Sequence, residues 1–160
     1  MMTILVRNMS KSFGQPPVEV LHDISFEIAD GEFVALTGKS GSGKSTLLYL
    51  ISTLDNPTGG SVELSGQNVA AMNSHELHHF RNRRLGFVFQ FHHLLPELTA
   101  LENALLPARK AHEHHEREEL ALGFFRQFDL ADKVHSRPGQ LSGGEQQRVA
   151  IIRALIMEPE

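Results

Sequence analysis

The stretch Gly38-Lys39-Ser40-Gly41-Ser42-Gly43-Lys44-Ser45-Thr46 fits the spacing G-x-x-x-x-G-K-[ST], and the reading of the whole chain starts from it. Glycines at 38, 41 and 43 let successive backbone N–H groups curl around an anion. Lys44 supplies positive charge and Ser45 a hydroxyl for Mg²⁺. The chemistry that needs all three is nucleoside triphosphate binding. Just upstream, Glu32-Phe33-Val34-Ala35-Leu36 is a largely apolar run expected to form a strand, and residues 45–54 read as a leucine-rich helix. Strand, glycine loop and helix in that order are the frame a phosphate loop requires.

A second helix start lies about a hundred residues on, in Leu141-Ser142-Gly143-Gly144-Glu145-Gln146-Gln147-Arg148. Ser142 is placed to cap the helix, Glu145 three residues later completes a capping box, and Gly143 and Gly144 allow a ligand to approach the backbone closely. The helix that follows carries Val149, Ala150, Ile151, Ile152, Ala154 and Leu155, apolar almost all round, and is expected to be buried.

These residues closely resemble the ATP-binding subunits of ABC transporters, in which a sequence like LSGGEQQR is the signature motif, and the resemblance covers nearly all of the chain. It implies a role for Phe13, which falls where that family places an aromatic residue stacking on adenine. Many members carry Tyr there; Phe13 keeps the π face without the hydroxyl, and the alternative for it is an ordinary core phenylalanine. Gln90, closing Leu85-Gly86-Phe87-Val88-Phe89-Gln90, falls at the family's Q-loop glutamine. The segment after it, Phe91-His92-His93-Leu94-Leu95-Pro96-Glu97, lies where the family contacts its membrane subunit. Together with Leu54–Thr58 and Thr99–Asn103 it resembles the branch of lipoprotein-releasing, macrolide-export and cell-division ATPases, and within that branch the lipoprotein-releasing type.

Composition sets outer bounds. A chain of 160 residues suits one domain, and 41% apolar content with dispersed charge is ordinary for a globular protein. The formal charge of −4 argues against a broadly basic nucleic-acid surface. Arg81, Arg83 and Arg84 read as a solvated helix end or a local basic patch. The absence of cysteine excludes disulfides and thiolate metal sites. No signal peptide is recognisable, and the apolar runs fall short of the roughly 20 residues a membrane span needs, so membrane association is expected through a partner. Ten histidines include the sets His75/His78/His79 and His112/His114/His115. Imidazoles one turn apart can share an ion, but exposed helix faces account for these sets as well.

Along the chain, residues 3–8 and 21–28 are expected as strands of an N-terminal β layer, with residues 61–64 a further short strand. Asn73 and Glu76 cap a helix running to about Arg83, and Leu85–Phe89 is expected as a buried strand. From Leu94 to about Leu130 the character is helical. Thr99 and Glu102 form a capping box, and residues 113–128 present Leu120, Phe124 and Phe128 at helical spacing. The fold expected is α/β: a P-loop NTPase with a RecA-like core, an N-terminal antiparallel β layer and an inserted helical signature subdomain. Its divisions are 1–93 for β layer and P-loop core, 94–140 for the helical subdomain and 141–160 for the signature helix.

The resemblance implies further features beyond Glu160: a hydrophobic strand ending in Asp-Glu and a switch histidine, so the final strands of the core and the general base are expected outside this sequence. The parent is expected to exceed about 200 residues. ATP and Mg²⁺ are the implied ligands. Lys44 would neutralise the β- and γ-phosphates, residues Ser40, Gly41, Ser42, Gly43, Lys44, Ser45 and Thr46 would cradle the oxygens, and Ser45 with Gln90 would serve Mg²⁺. Gly38 opens the loop. Ser142, Gly143 and Gly144 would act on the nucleotide of a second copy in a head-to-tail dimer. Membrane permease subunits are the other expected partner, which places the protein on the cytoplasmic face of the inner membrane; no nucleic-acid partner is expected. Competing readings are a non-hydrolysing nucleotide-binding module and a soluble ABC ATPase acting on nucleic acid or ribosomes. P-loop kinases and GTPases share the first motif but have no use for the second.

Overall fold

A computed structural model describes residues 3–160. The chain forms two compact units, one running to Arg81 with Glu160 and the other spanning Asn82–Pro159.

In the first unit the N-terminal residues form an antiparallel sheet. Its strands are β1 (Ile4–Phe13), β2 (Val18–Ile28), β3 (Gly59–Leu64) and β4 (Gln67–Asn68), in the spatial order β2-β1-β3-β4. Val6, Met9, Leu21, Val62 and Leu64 are buried. The strands run longer than the apolar pattern suggests, because ladder pairing carries β1 through polar Ser10, opposite Gly59 of β3, and Ser12, opposite Glu19 of β2. The price of that length is irregular register at Val6 to Met9 and again near Lys11. Asn8 and Asp23 absorb the bulge in left-handed backbone, a conformation to which their short polar side chains are suited, and Asn8 Nδ2 donates to Asp23 Oδ1 at 2.7 Å. Gly60 crosses this region so closely that a Cβ there would collide with the carbonyl oxygens of Arg7 and Asn8.

Two α-helices and a short 3-10 turn (Val69–Ala71) also lie in this part of the chain. α1 (Lys44–Ile51) follows the glycine loop. α2 (Ser74–Arg84) begins at a reciprocal cap: Glu76 N donates to Asn73 Oδ1 at 3.0 Å, and Asn73 N donates to the Glu76 carboxylate at 2.9 Å. The chain enters the second unit within α2.

Two expected strands are not formed among the described residues. Glu32–Leu36 joins no ladder, and Phe33 is 95% exposed. Leu85–Phe89 likewise lacks a ladder, with Gly86 and Val88 exposed and Leu85, Phe87 and Phe89 half-buried. A strand is a property of a pair: apolar side chains favour extended backbone, but strand structure requires neighbouring N–H and C=O groups in register. The sheet described here is therefore the antiparallel layer alone.

The second unit is helical: α3 (Ala100–Ala104), α4 (Leu106–Lys110), α5 (Glu118–Gln127) and α6 (Gly143–Leu155). Its core gathers Leu101, Leu105, Phe125, Leu130, Val149 and Ile152. α5 starts later than expected, and its buried stripe is Ala121 and Phe125, with Leu120, Phe124 and Phe128 at the edge of the core. Both sets repeat at helical spacing, so periodicity alone could not select the phase. α6 buries Val149, Ala150 and Ile152, while Ile151 and Ala154 are half-buried and Leu155 is exposed, so its burial is one-sided rather than complete. Arg117 ties two ends of this unit together, donating to the Ile156 carbonyl at 2.8 Å and pairing with Glu113 at 3.0 Å. Arg83 also grips Glu113, and these two guanidiniums, Arg83 first, hold the Glu113 carboxyl below the usual carboxylate range.

Candidate functional site

The glycine loop and Phe13 belong to the first unit. Gly41 and Gly43 adopt φ of 80° and 85°, the left-handed region where a Cβ is strained. Gly43 is also the N-cap of α1, with no side chain capping it. A Cβ on Gly43 would lie 2.8 Å from Leu21 Cδ2, so β2 and the glycine loop are in close contact. The first-turn N–H groups of α1 have no intrahelical acceptors, and the positive end of the helix dipole lies there. Lys44 Nζ is held across the mouth of the loop, donating to the Gly38 carbonyl at 2.9 Å and the Lys39 carbonyl at 2.7 Å. A triphosphate has stronger acceptors than those carbonyls, so the ammonium can exchange partners without losing hydrogen bonds. Ser40, Gly41, Ser42 and Ser45 are exposed, with Gly43, Lys44 and Thr46 half-buried.

Phe13 is 45% exposed, which sets aside the core alternative. It ends β1 opposite Val18. One feature there was missed in the sequence: Lys11 Nζ sits 4.9 Å from the Phe13 ring centroid. Lys11 is itself buried and satisfied, pairing with Asp55 at 2.8 Å and donating to the Asn56 carbonyl at 2.6 Å. The hydrogen bond from Lys11 is the main cause holding the Asp55 carboxyl below its usual range. Lys-x-Phe on one strand was the available signal, since residues two apart share a sheet face.

Gln90 and residues 142–144 belong to the second unit. Gln90 is exposed, following stacked Phe87 and Phe89 rings 6.0 Å apart, and Phe91 after it is 74% exposed. Ser142 is the N-cap of α6. Its hydroxyl oxygen accepts from Glu145 N at 3.3 Å, and Ser142 N donates to the Glu145 carboxylate at 2.6 Å. That backbone hydrogen bond from Ser142 is the main cause holding the Glu145 carboxyl down. Gly143 and Gly144 are exposed at the first turn, with open space where a Gly143 Cβ would stand. Gln146 fastens the incoming loop, donating to the Pro138 and Leu141 carbonyls at 3.0 and 3.1 Å.

Asn103 is another residue the sequence reading did not single out. It is fully buried and clamps the segment beyond Gln90: its Oδ1 accepts from Leu95 N at 2.7 Å, and its Nδ2 donates to the Leu95, Leu98 and Thr99 carbonyls. A buried amide must be satisfied in this way, and an asparagine directly before Ala104 and Leu105 on the same helical stretch as Ala100 and Leu101 was the available sequence signal. Of the histidine sets, His114 and His115 rings meet at 4.1 Å, and no group of three or more potential ligands converges among the described residues. No helix among them is long and apolar enough to cross a membrane.

A glycine loop at a helix mouth, with a lysine poised over it, defines a P-loop protein, and a capped LSGGE helix narrows the class further. Residues 21–160 match the ABC transporter family, and the chain belongs to that family. It is 50% identical over 157 residues to the lipoprotein-releasing system ATP-binding protein LolD of Leptospira interrogans, covering 98% of this chain and 65% of that protein. With LolD of Aquifex aeolicus the identity is 54% over 145 residues, covering 88% and 63%. The chain thus spans just under two thirds of the length of these relatives. The dimeric structure of MJ0796, described as a bacterial ABC transporter cassette, superposes with a TM-score of 0.88 at 39% identity, covering 98% of this chain and 70% of that one. A post-hydrolysis dimer of the same cassette bound to ADP and Pi gives 0.84 at 38% identity. The fold is that of an ABC ATPase cassette, an α/β P-loop NTPase.

Proposed function

We propose that the parent subunit is the ATP-binding and ATP-hydrolysing motor of a membrane ABC transporter of lipoprotein-releasing type. The observation that carries this reading is the pair of exposed helix starts: Lys44 bridging the Gly38 and Lys39 carbonyls, and the Ser142–Glu145 box. On nucleotide binding, Lys44 leaves those carbonyls for the β- and γ-phosphates, and the N–H groups of residues 40–46 surround the remaining oxygens. Phe13 offers its exposed ring to the adenine.

Ser45 and Gln90 are the residues that would hold Mg²⁺. The fit rests on their chemistry, an exposed hydroxyl one residue beyond Lys44 and an exposed amide oxygen, both hard donors of the kind Mg²⁺ takes. Its chemistry there would be to neutralise negative charge on the phosphates.

In a head-to-tail dimer the Ser142 hydroxyl and the Gly143 and Gly144 N–H groups meet the nucleotide held by the partner copy. Residues 91–97 dock on integral membrane permease subunits, which brings the motor to the cytoplasmic face of the inner membrane. Within this scheme residues 1–93 form the β layer and nucleotide core, 94–140 the helical subdomain and 141–160 the signature helix. The similarity to LolD proteins along nearly the whole chain supports the lipoprotein-releasing assignment.

The test separates the two helix starts in the whole subunit. Lys44→Ala should abolish ATP binding measured by fluorescent-nucleotide titration. Ser142→Arg should leave monomer binding within about twofold while blocking ATP-driven dimerisation by size-exclusion chromatography. Equal loss of binding in both variants refutes the division of labour.

A further inference from the structure

The last turn of α6 touches the Gln90 loop on both sides. Downstream, Arg153 donates through one terminal nitrogen to the His93 carbonyl at 2.8 Å and through the other to the His92 carbonyl at 2.7 Å. Upstream, Gly86 passes so close that a Cβ on it would stand 2.5 Å from the Ala154 carbonyl oxygen. Two consecutive α6 residues therefore bracket Gln90, one contact lying before it in sequence and the other after. His93 takes a left-handed φ of 49°, a conformation uncommon outside glycine though one histidine adopts more often than most residues, at the carbonyl pair Arg153 holds. Beyond it, the Asn103 clamp fastens Leu95 to α3.

Arg153 is suited to this grip. Its planar fork presents two donors in fixed geometry, which a lysine does not. Its partners are peptide oxygens, so the hydrogen bonds hold backbone rather than a mobile side chain. Burial lowers its pKa, as expected for a guanidinium partly withdrawn from water. At the opposite end of the same 13-residue helix stands Ser142. That is a lever of roughly 20 Å, stiffened by its own hydrogen-bond ladder and by the buried Val149 and Ile152.

We propose that Arg153 is a positioning residue for Gln90: through the His92 and His93 carbonyls it ties the Q-loop to the signature helix, so that engagement of Ser142 on a partner's nucleotide sets the placement of Gln90 in its own copy. This rests on the proposed dimeric motor but names a coupling element which that reading does not contain. The two sites of a dimer then communicate through one rigid helix per copy. Displacement of residues 91–97 by a docked partner travels the same route in reverse, as any equilibrium coupling must.

The experiment compares wild type, Arg153→Met and Arg153→Lys in the whole subunit, by hydrogen–deuterium exchange of residues 90–95 and by ATPase kinetics. Without nucleotide, the Met variant should exchange roughly tenfold faster across 90–95, with the core of α6 as protected as in wild type. Its kcat should fall roughly tenfold while KM for ATP stays within about twofold, because the P-loop is untouched. Lysine, able to satisfy one carbonyl, should recover part of both effects; if the Met variant fails to fold, the intermediate exchange of the Lys variant decides the matter. Wild-type exchange and kcat in the Met variant overturn the proposal. So do Met and Lys variants equally impaired throughout α6, which would make Arg153 merely structural. If wild type itself neither dimerises nor hydrolyses ATP, the motor reading fails, and nucleotide-free exchange still reports whether Arg153 holds the loop.

Discussion

The starts of α1 and α6 solve the same physical problem in opposite ways. Each leaves N–H groups without intrahelical acceptors. At α6 the sequence supplies its own acceptors, Ser142 Oγ and the Glu145 carboxylate. At α1 the N-cap is Gly43, no side chain accepts, and the Lys44 ammonium is held on carbonyls of its own loop. An uncapped start beside a cation leaves its N–H groups to solvent or to an incoming anion. A self-capped start is ordered beforehand and keeps only a hydroxyl and two glycine N–H groups for a visitor. Under the proposed function, the first start binds the nucleotide and the second meets one held by a partner copy.

The comparison breaks most visibly if α6 depends on packing rather than on its cap. Ile152→Ala, at a fully buried position, should lower stability by about 2–4 kcal/mol in urea denaturation. A loss under about 1 kcal/mol would mean the cap dominates after all. Next comes Gly43→Ala. The left-handed φ and the contact with Leu21 Cδ2 predict a loss of about 2 kcal/mol and severely weakened nucleotide binding, read by thermal shift with and without ATP. Retained binding would show that the left-handed N-cap is dispensable.

Smaller still, Ser142→Ala should remove about 1 kcal/mol of α6 stability, measurable as faster exchange of residues 143–146, and leave nucleotide affinity of the monomer unchanged. The finest test is pH. The Glu145 carboxyl is held below its ordinary range by Ser142, so its contribution is fully present above about pH 5 and is lost as pH falls through the depressed folded value. Glu145→Gln should therefore narrow the stability difference from wild type on acidification, seen in urea midpoints between about pH 5 and pH 3. A constant difference would mean the carboxylate does not sense its cap.

Legibility in the sequence followed range. The boxes at Asn73/Glu76, Thr99/Glu102 and Ser142/Glu145 all form as read, because each is a contact across three residues whose geometry the backbone itself supplies. The P-loop was equally plain, since its glycines act through local φ. The expected strands at 32–36 and 85–89 were misjudged because apolar character speaks to burial, whereas a ladder needs a partner strand. α5 shows a second kind of failure: residues 120, 124, 128 and residues 121, 125 have the same period, and only the position of α6 and α3 selects Phe125 for the core.

Chain-local chemistry thus determined the phosphate loop, the helix caps and the turn glycines, because φ preferences and i to i+3 hydrogen bonds act without the rest of the molecule. Tertiary structure decided what Arg153, Asn103 and Lys11 hold. An arginine or a buried amide has donors to satisfy, and which carbonyls lie within 3 Å of them is settled only when segments as many as 61 residues apart are packed together.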